Sequence, residues 1–193
     1  MGNRGELRPK HYNSFQPCKP SKPWIACVLQ DENGVPYPKD DELNYTKLFI
    51  LDEVTAFAAG HRPCYGCQGK RYNLFVEVWQ KANRIKRSYL DDHLHAERCD
   101  ADEGGGKRTE LCNLSGLPSG VMVQLATNEQ PYLYLWGKLF PWTVTGYAAP
   151  ITIDTTTEVL TLTPVSIIKT FQAGFPLLVN STKTIHPSVF GHL

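Results

Sequence analysis

The sequence predicts an α+β fold, and three observations predict it. A strongly amphipathic stripe runs through Tyr72, Phe75, Val76, Trp79 and Ala82, at the i, i+3, i+4, i+7 spacing of one buried helix face. After Gly116 the chain turns to short stretches of alternating apolar residues broken by turn signals, the pattern of half-buried strands. Between these regimes lies no internal repeat that would favour a solenoid. With 193 residues, 41% of them apolar, the chain is long enough for one sizeable core and fits one compact unit.

The start of the chain is basic and interrupted by prolines. Arg4, Arg8, Lys10, Lys19 and Lys22 lie among Pro9, Pro17, Pro20 and Pro23, which predicts an extended arm or irregular cover over residues 1–24 rather than a helix. A hairpin is expected next, with a strand from Trp24 to Leu29, a turn at Glu32-Asn33-Gly34 and a short return strand; Asn-Gly supplies the positive φ angles of a tight turn. "LFILDEVTAFAAG" predicts a strand over Leu48 to Leu51 and a short helix capped by Asp52 and ended at Gly60. The helix bearing the amphipathic stripe follows, its polar side carrying Lys70, Arg71, Lys81, Arg84, Lys86 and Arg87 against Glu77.

Residues 91–115 read as a polar segment, helical through His95 and turning at Gly104-Gly105-Gly106. The β-rich part, 116–193, carries a hairpin in "GVMVQLATNEQPYLYLW", a further strand or turn in "KLFPWTVTGY" and another strand in "TEVLTLT". A last helix fits "TPVSIIKTFQAG", with Thr163 as N-cap, Pro164 at the first helical position and Gly174 closing it.

Composition removes several function classes. The formal net charge is +1, so contact with a polyanion needs a local basic patch. "MGNRGELRPKHYN" has no apolar core of signal-peptide length, and no stretch approaches the roughly 20 apolar residues of a membrane span, so a cytoplasmic location is the expectation. No Gly-x-Ser-x-Gly elbow, Walker-type phosphate loop or dinucleotide glycine fingerprint is present.

In a reducing compartment the six cysteines, Cys18, Cys27, Cys64, Cys67, Cys99 and Cys112, point to metal or catalytic chemistry rather than a disulfide framework. Cys64 and Cys67 stand two apart just before a helix, where both sulfurs can face one ion and the helix N-terminus favours thiolates. Zinc is the metal this pattern suits, and Cys27 on a hairpin strand is the natural third ligand. Cys18 ranks first as the fourth, with His61, His95, Cys99 and Cys112 as alternatives. A redox pair and a set of small buried apolar residues are the competing readings.

"LFILDEVTAFAAGHRPCYGC" resembles the segment around the second cysteine pair of the metal-binding domain of Ada-type DNA-repair proteins. Ala56, Ala58, Ala59, Gly60, Arg62, Pro63, Cys64 and Cys67 match that pattern, and His61 stands at its aromatic position. The resemblance covers about a tenth of the chain. It implies an Ada-like metal-binding sub-fold over 25–90, zinc held by Cys64 and Cys67, and an association with DNA. In that family four cysteines hold one zinc and one of the first pair accepts a methyl group from a DNA phosphotriester. Cys27 matches only as a cysteine upstream of the strand, with no second cysteine within a turn of it.

Other sites are weighed from the residues alone. "DDHLHAER" puts His93 and Glu97 on one helical face and Asp91 and His95 on another, pairs able to bind a metal or act as general acid and base; a solvated charged helix is the plainer alternative. Arg98, Lys107 and Arg108 lie near them. Arg4, Arg71, Lys81, Arg84 and Arg87 are the candidate phosphate contacts, and Tyr132, Tyr134, Trp136, Phe140 and Trp142 the candidate stacking aromatics, against a core role for the latter. His186 beside Ser188 has no spacing that identifies a reaction. The expectation is a zinc-binding protein associated with nucleic acid, DNA ahead of RNA. The alternatives are an enzyme acting on a nucleotide or nucleic-acid phosphate through His93, His95 and Glu97, or a cysteine that accepts alkyl groups.

Overall fold

The fold is α+β, seen in a computed structural model that describes residues 1–4, 22–29, 47–98 and 109–179. A small sheet comes first, from β1 (Gly2–Asn3), β2 (Ile25–Ala26), β3 (Lys47–Leu48) and, after helix α1 (Glu53–Ala58), β4 (Arg62–Pro63). Its order is β3-β1-β2-β4, with β2 and β4 parallel and the other pairs antiparallel. Of the basic, proline-broken segment expected to be an extended arm or irregular cover, Gly2–Asn3 is the strand between β2 and β3, and residues 5–21 lie outside the described residues. The strand expected over Leu48 to Leu51 is the shorter Lys47–Leu48. The turn at Asn33-Gly34 and its return strand lie outside the described residues.

Helix α1 begins as its sequence dictates. Asp52 is extended and its carboxylate accepts from the Thr55 backbone N–H at 2.9 Å, and Gly60 ends the turn at φ +76°. Helix α2 (Gly69–Asn83) buries Tyr72, Phe75, Val76 and Trp79, the predicted stripe, while Ala82 is half-buried. Helix α3 (Leu90–Arg98) occupies the segment read as polar, yet it buries Leu90, Leu94 and Arg98. Three residues four apart in sequence anchor it, which its many charges conceal.

The second sheet is antiparallel throughout: β5 (Leu111–Asn113), β6 (Val121–Leu125), β7 (Pro131–Leu135), β8 (Lys138–Thr143), β9 (Gly146–Tyr147), β10 (Ile151–Thr152) and β11 (Glu158–Thr161). Its order is β10-β8-β7-β6-β11-β5, with β9 beside β8. Trp136 and Gly137 turn the β7–β8 hairpin, both at positive φ (51° and 73°), the backbone twist that joins two strands tightly. Helix α4 (Val165–Gln172) starts one residue later than the sequence suggests: Pro164 is extended (φ −55°, ψ 144°) and is the cap, while the Thr163 hydroxyl accepts from the Met122 N–H at 2.9 Å. One orphan donor of α4 goes to Glu97 instead, whose two carboxylate oxygens accept from the Ser166 N–H at 2.8 Å and the Ser166 hydroxyl at 2.5 Å.

One hydrophobic core joins both parts. Phe57 of α1 and Phe75 of α2 stack at 5.2 Å and meet Phe171 and Phe175 edge-on, continuous with Val121, Val123, Leu133 and Leu135 of the sheet. A polar weld reinforces it, the buried Tyr147 hydroxyl donating to Asp52 at 2.9 Å. Burial and that carboxylate push the Tyr147 phenol well above its ordinary range. No helix among the described residues is long and apolar enough to cross a membrane.

Candidate metal centre

Cys27 follows β2, Cys64 follows β4, and Cys67 precedes α2; because β2 and β4 lie side by side, the three sulfurs converge. Their Sγ atoms all lie within 4.8 Å of one another. Thiolates about 2.3 Å from a tetrahedral ion sit roughly 3.8 Å apart, a spacing that falls inside this bound. The group could therefore hold a metal ion, and its donor set is three soft sulfurs.

The backbone builds this corner. The Cys27 N–H donates to the Met1 carbonyl at 2.7 Å, and the Cys64 N–H donates to the Ala26 carbonyl at 2.9 Å. Gln68 closes the turn twice, its N–H donating to the Cys64 carbonyl at 3.0 Å and its side-chain amide to the Ala26 carbonyl at 2.8 Å. Cys27 and Cys64 are buried and Cys67 is half-buried. Hydrogen bonds from the Cys27 and Cys67 thiols, then from the Cys67 and Gly66 backbone amides, hold the Cys64 thiol far below its usual value. Donation to Cys64 and Cys67, together with burial, pushes Cys27 far up. The three sulfurs are thus one another's hydrogen-bond partners, a set of donors that a cation could take over.

Of the alternatives for a fourth ligand, Cys18 and Cys99 lie outside the described residues. His61, His95 and Cys112 do not join the triad. His61 is buried at 1% exposure, its ring 5.4 Å from that of Trp24 and its Nε2 accepting from Arg4 Nε at 3.3 Å. Burial, followed by the Arg4 and Arg98 guanidiniums, lowers its pKa to about 3, so it stays neutral. Those two guanidiniums lie 3.8 and 4.2 Å from the Trp24 ring centroid, and Arg98 also donates to the Gly60 carbonyl at 2.8 Å and to the Lys22 carbonyl at 2.6 Å. Arg4, expected to contact phosphate, is half-buried in this latch.

Arg71, expected at the same interface, is likewise engaged: it pairs with Glu53 through Nε at 2.7 Å and through Nη2, donates to the Pro176 carbonyl, and lies over the Phe175 ring at 4.2 Å. Lys81, Arg84 and Arg87 are exposed, as are Lys70 and Lys86, and none pairs with a carboxylate among the described residues.

Of the three residues considered for acid–base chemistry, His93 and Glu97 meet, whereas His95 lies against Arg98. His93 Nε2 lies 3.8 Å from Glu97, and both lie beside a cleft of about 270 Å³ with Glu110 and Lys169. Both Glu97 oxygens, however, cap α4. Asp91 is held by a bidentate Arg62 at 2.7 and 2.9 Å, and His95 Nδ1 lies 3.5 Å from Arg98 Nη2. Among the proposed stacking aromatics, Tyr132, Tyr134 and Phe140 are buried, Trp142 is half-buried, and only Trp136, at the hairpin turn, is exposed. His186 and Ser188 lie outside the described residues.

One surface residue escaped the sequence reading. Tyr65, inside the Cys64–Cys67 turn, is 61% exposed. Its position between Cys64 and Cys67 was the available signal, since a turn whose flanking side chains point inward presents what lies between them.

No family model matches the chain, and neither does any of the curated proteins or solved structures compared with it.

Proposed function

We propose that this is a zinc-binding protein whose metal is structural and whose basic face associates with nucleic acid, DNA ahead of RNA. The convergence of the Cys27, Cys64 and Cys67 sulfurs is the observation that carries the reading. Zinc suits three soft sulfurs because a d¹⁰ ion imposes no geometry of its own and tolerates thiolate-rich sets. Cys18 is the first candidate to complete the set. A closed four-ligand site leaves no position for substrate, so the ion would act by tying β2 to the turn before α2.

The nucleic-acid part is supported by Lys81, Arg84 and Arg87, joined by Lys70 and Lys86, all exposed and unpaired with carboxylates among the described residues. The resemblance to the Ada metal-binding segment favours DNA. The enzyme reading is weaker, because Glu97 and Asp91 already satisfy structural partners.

Elemental analysis of the purified full chain tests the metal. One zinc per chain, lost in both Cys64→Ser and Cys27→Ser, is expected; metal-free protein from a reducing, zinc-supplemented preparation would overturn the reading. Affinity for DNA should fall steeply with added salt, and salt-independent association would remove the phosphate contacts from the account.

A further inference from the structure

Tyr65 is placed as a ligand-facing residue would be. Its ring meets Tyr72 nearly edge-on, centroids 5.4 Å apart at 76°, which props it upright and leaves most of it in solvent. The Arg87 guanidinium lies 6.0 Å from the Tyr65 ring centroid and 5.1 Å from that of Tyr72. Arg62, at the same 5.1 Å from Tyr72, is neutralised by Asp91, whereas Arg87 is exposed and pairs with no carboxylate among the described residues. An exposed aromatic ring beside an unneutralised guanidinium offers two contacts at once: a face for a π system and a fork for an anion.

These two chemistries occur together, a few ångströms apart, in an unpaired nucleotide. A base in a duplex has both faces covered by its neighbours and cannot use the ring, and an acidic protein surface would use the cations but not the ring. We propose that Tyr65 is a base-stacking platform and Arg87 its phosphate contact, so that the ligand of the basic face is single-stranded nucleic acid. This rests on the nucleic-acid reading above and narrows it. Because Tyr65 lies between Cys64 and Cys67, the platform is held by the same turn that would hold the metal.

Fluorescence anisotropy with the zinc-loaded full chain tests it, using a labelled oligothymidylate and a duplex of equal length at low salt. The single strand should bind more tightly than the duplex. Tyr65→Ala should weaken single-strand binding by roughly ten- to a hundredfold and Tyr65→Phe should retain it. Arg87→Ala should weaken it and reduce the salt slope by about 0.7. Both side chains are exposed, and unchanged zinc content and melting temperature would establish that the variants fold. Tighter duplex binding, or single-strand binding indifferent to Tyr65→Ala, would overturn this inference and leave the broader reading standing. Failure to bind either oligonucleotide would overturn both.

Discussion

At the scale of single residues, the most consequential placements are those where a polar group is buried for a reason the sequence hides. His61 is neutral because burial and two guanidiniums disfavour its cation. Its folded pKa of about 3 lies below the ordinary 6.5, so its contribution to stability is present above pH 6.5 and is lost as pH falls from there toward 3. The unfolding free energy should therefore decline over that window by up to about 1.4 kcal/mol per pH unit from this group. His61→Gln should flatten that part of the urea-denaturation profile; identical profiles would show that His61 is not the group titrating. Gly60 makes a second case. It sits at φ +76°, and an added Cβ would run into the Arg98 side chain. Gly60→Ala should cost about 1–3 kcal/mol, read as a lower denaturant midpoint at unchanged zinc content. The Cys-x-x-Cys spacing made two members of the sulfur triad legible, and Cys27 followed from its strand. Arg4 and Arg71 stood among the candidate phosphate contacts because charge alone does not tell a solvated cation from one held over an aromatic ring or paired with a half-buried glutamate.

Among the elements, Glu97 decides between two readings of α3. Its side chain is only 12% exposed and it supplies the acceptors that Pro164, as cap residue, cannot. Glu97→Ala should lower stability by about 1–2 kcal/mol, measured by urea denaturation, and leave zinc stoichiometry and nucleic-acid affinity unchanged. A folded variant with normal stability but lost turnover on a nucleotide substrate would instead restore the catalytic reading. Helices α1, α2 and α4 were legible because their caps and 3.6-residue stripes are local signals. Strands β1 and β4 were not, since two residues cannot display an alternating pattern, and Gly2–Asn3 has no β preference of its own. The parallel pairing of β2 with β4, which brings Cys27 to Cys64, is a long-range choice that no window of sequence contains.

For the molecule as a whole, the cysteine corner and the β-rich half share one core. Phe57 and Phe75 from the first part and Phe171 and Phe175 from the second form one aromatic cluster, and Tyr147 of the sheet donates to the cap of α1. Removing the metal with a chelator should then lower the melting temperature of the entire chain in one cooperative transition, because a loosened β2–α2 corner unpacks residues that the sheet needs. Calorimetry showing two transitions, the second at an unchanged temperature, would mean that the halves are independent. The division into an N-terminal αβ part and a β-rich part was legible from periodicity. Their shared core was not, because contacts between α2 and α4 join stretches about ninety residues apart and leave no local trace. The central claim, that these cysteines hold zinc, is tested most directly by X-ray absorption at the zinc edge on the purified full chain. A first shell dominated by at least three sulfurs at about 2.3 Å is expected. A zinc signal with only nitrogen and oxygen neighbours, or no zinc in protein with intact thiols, would contradict it.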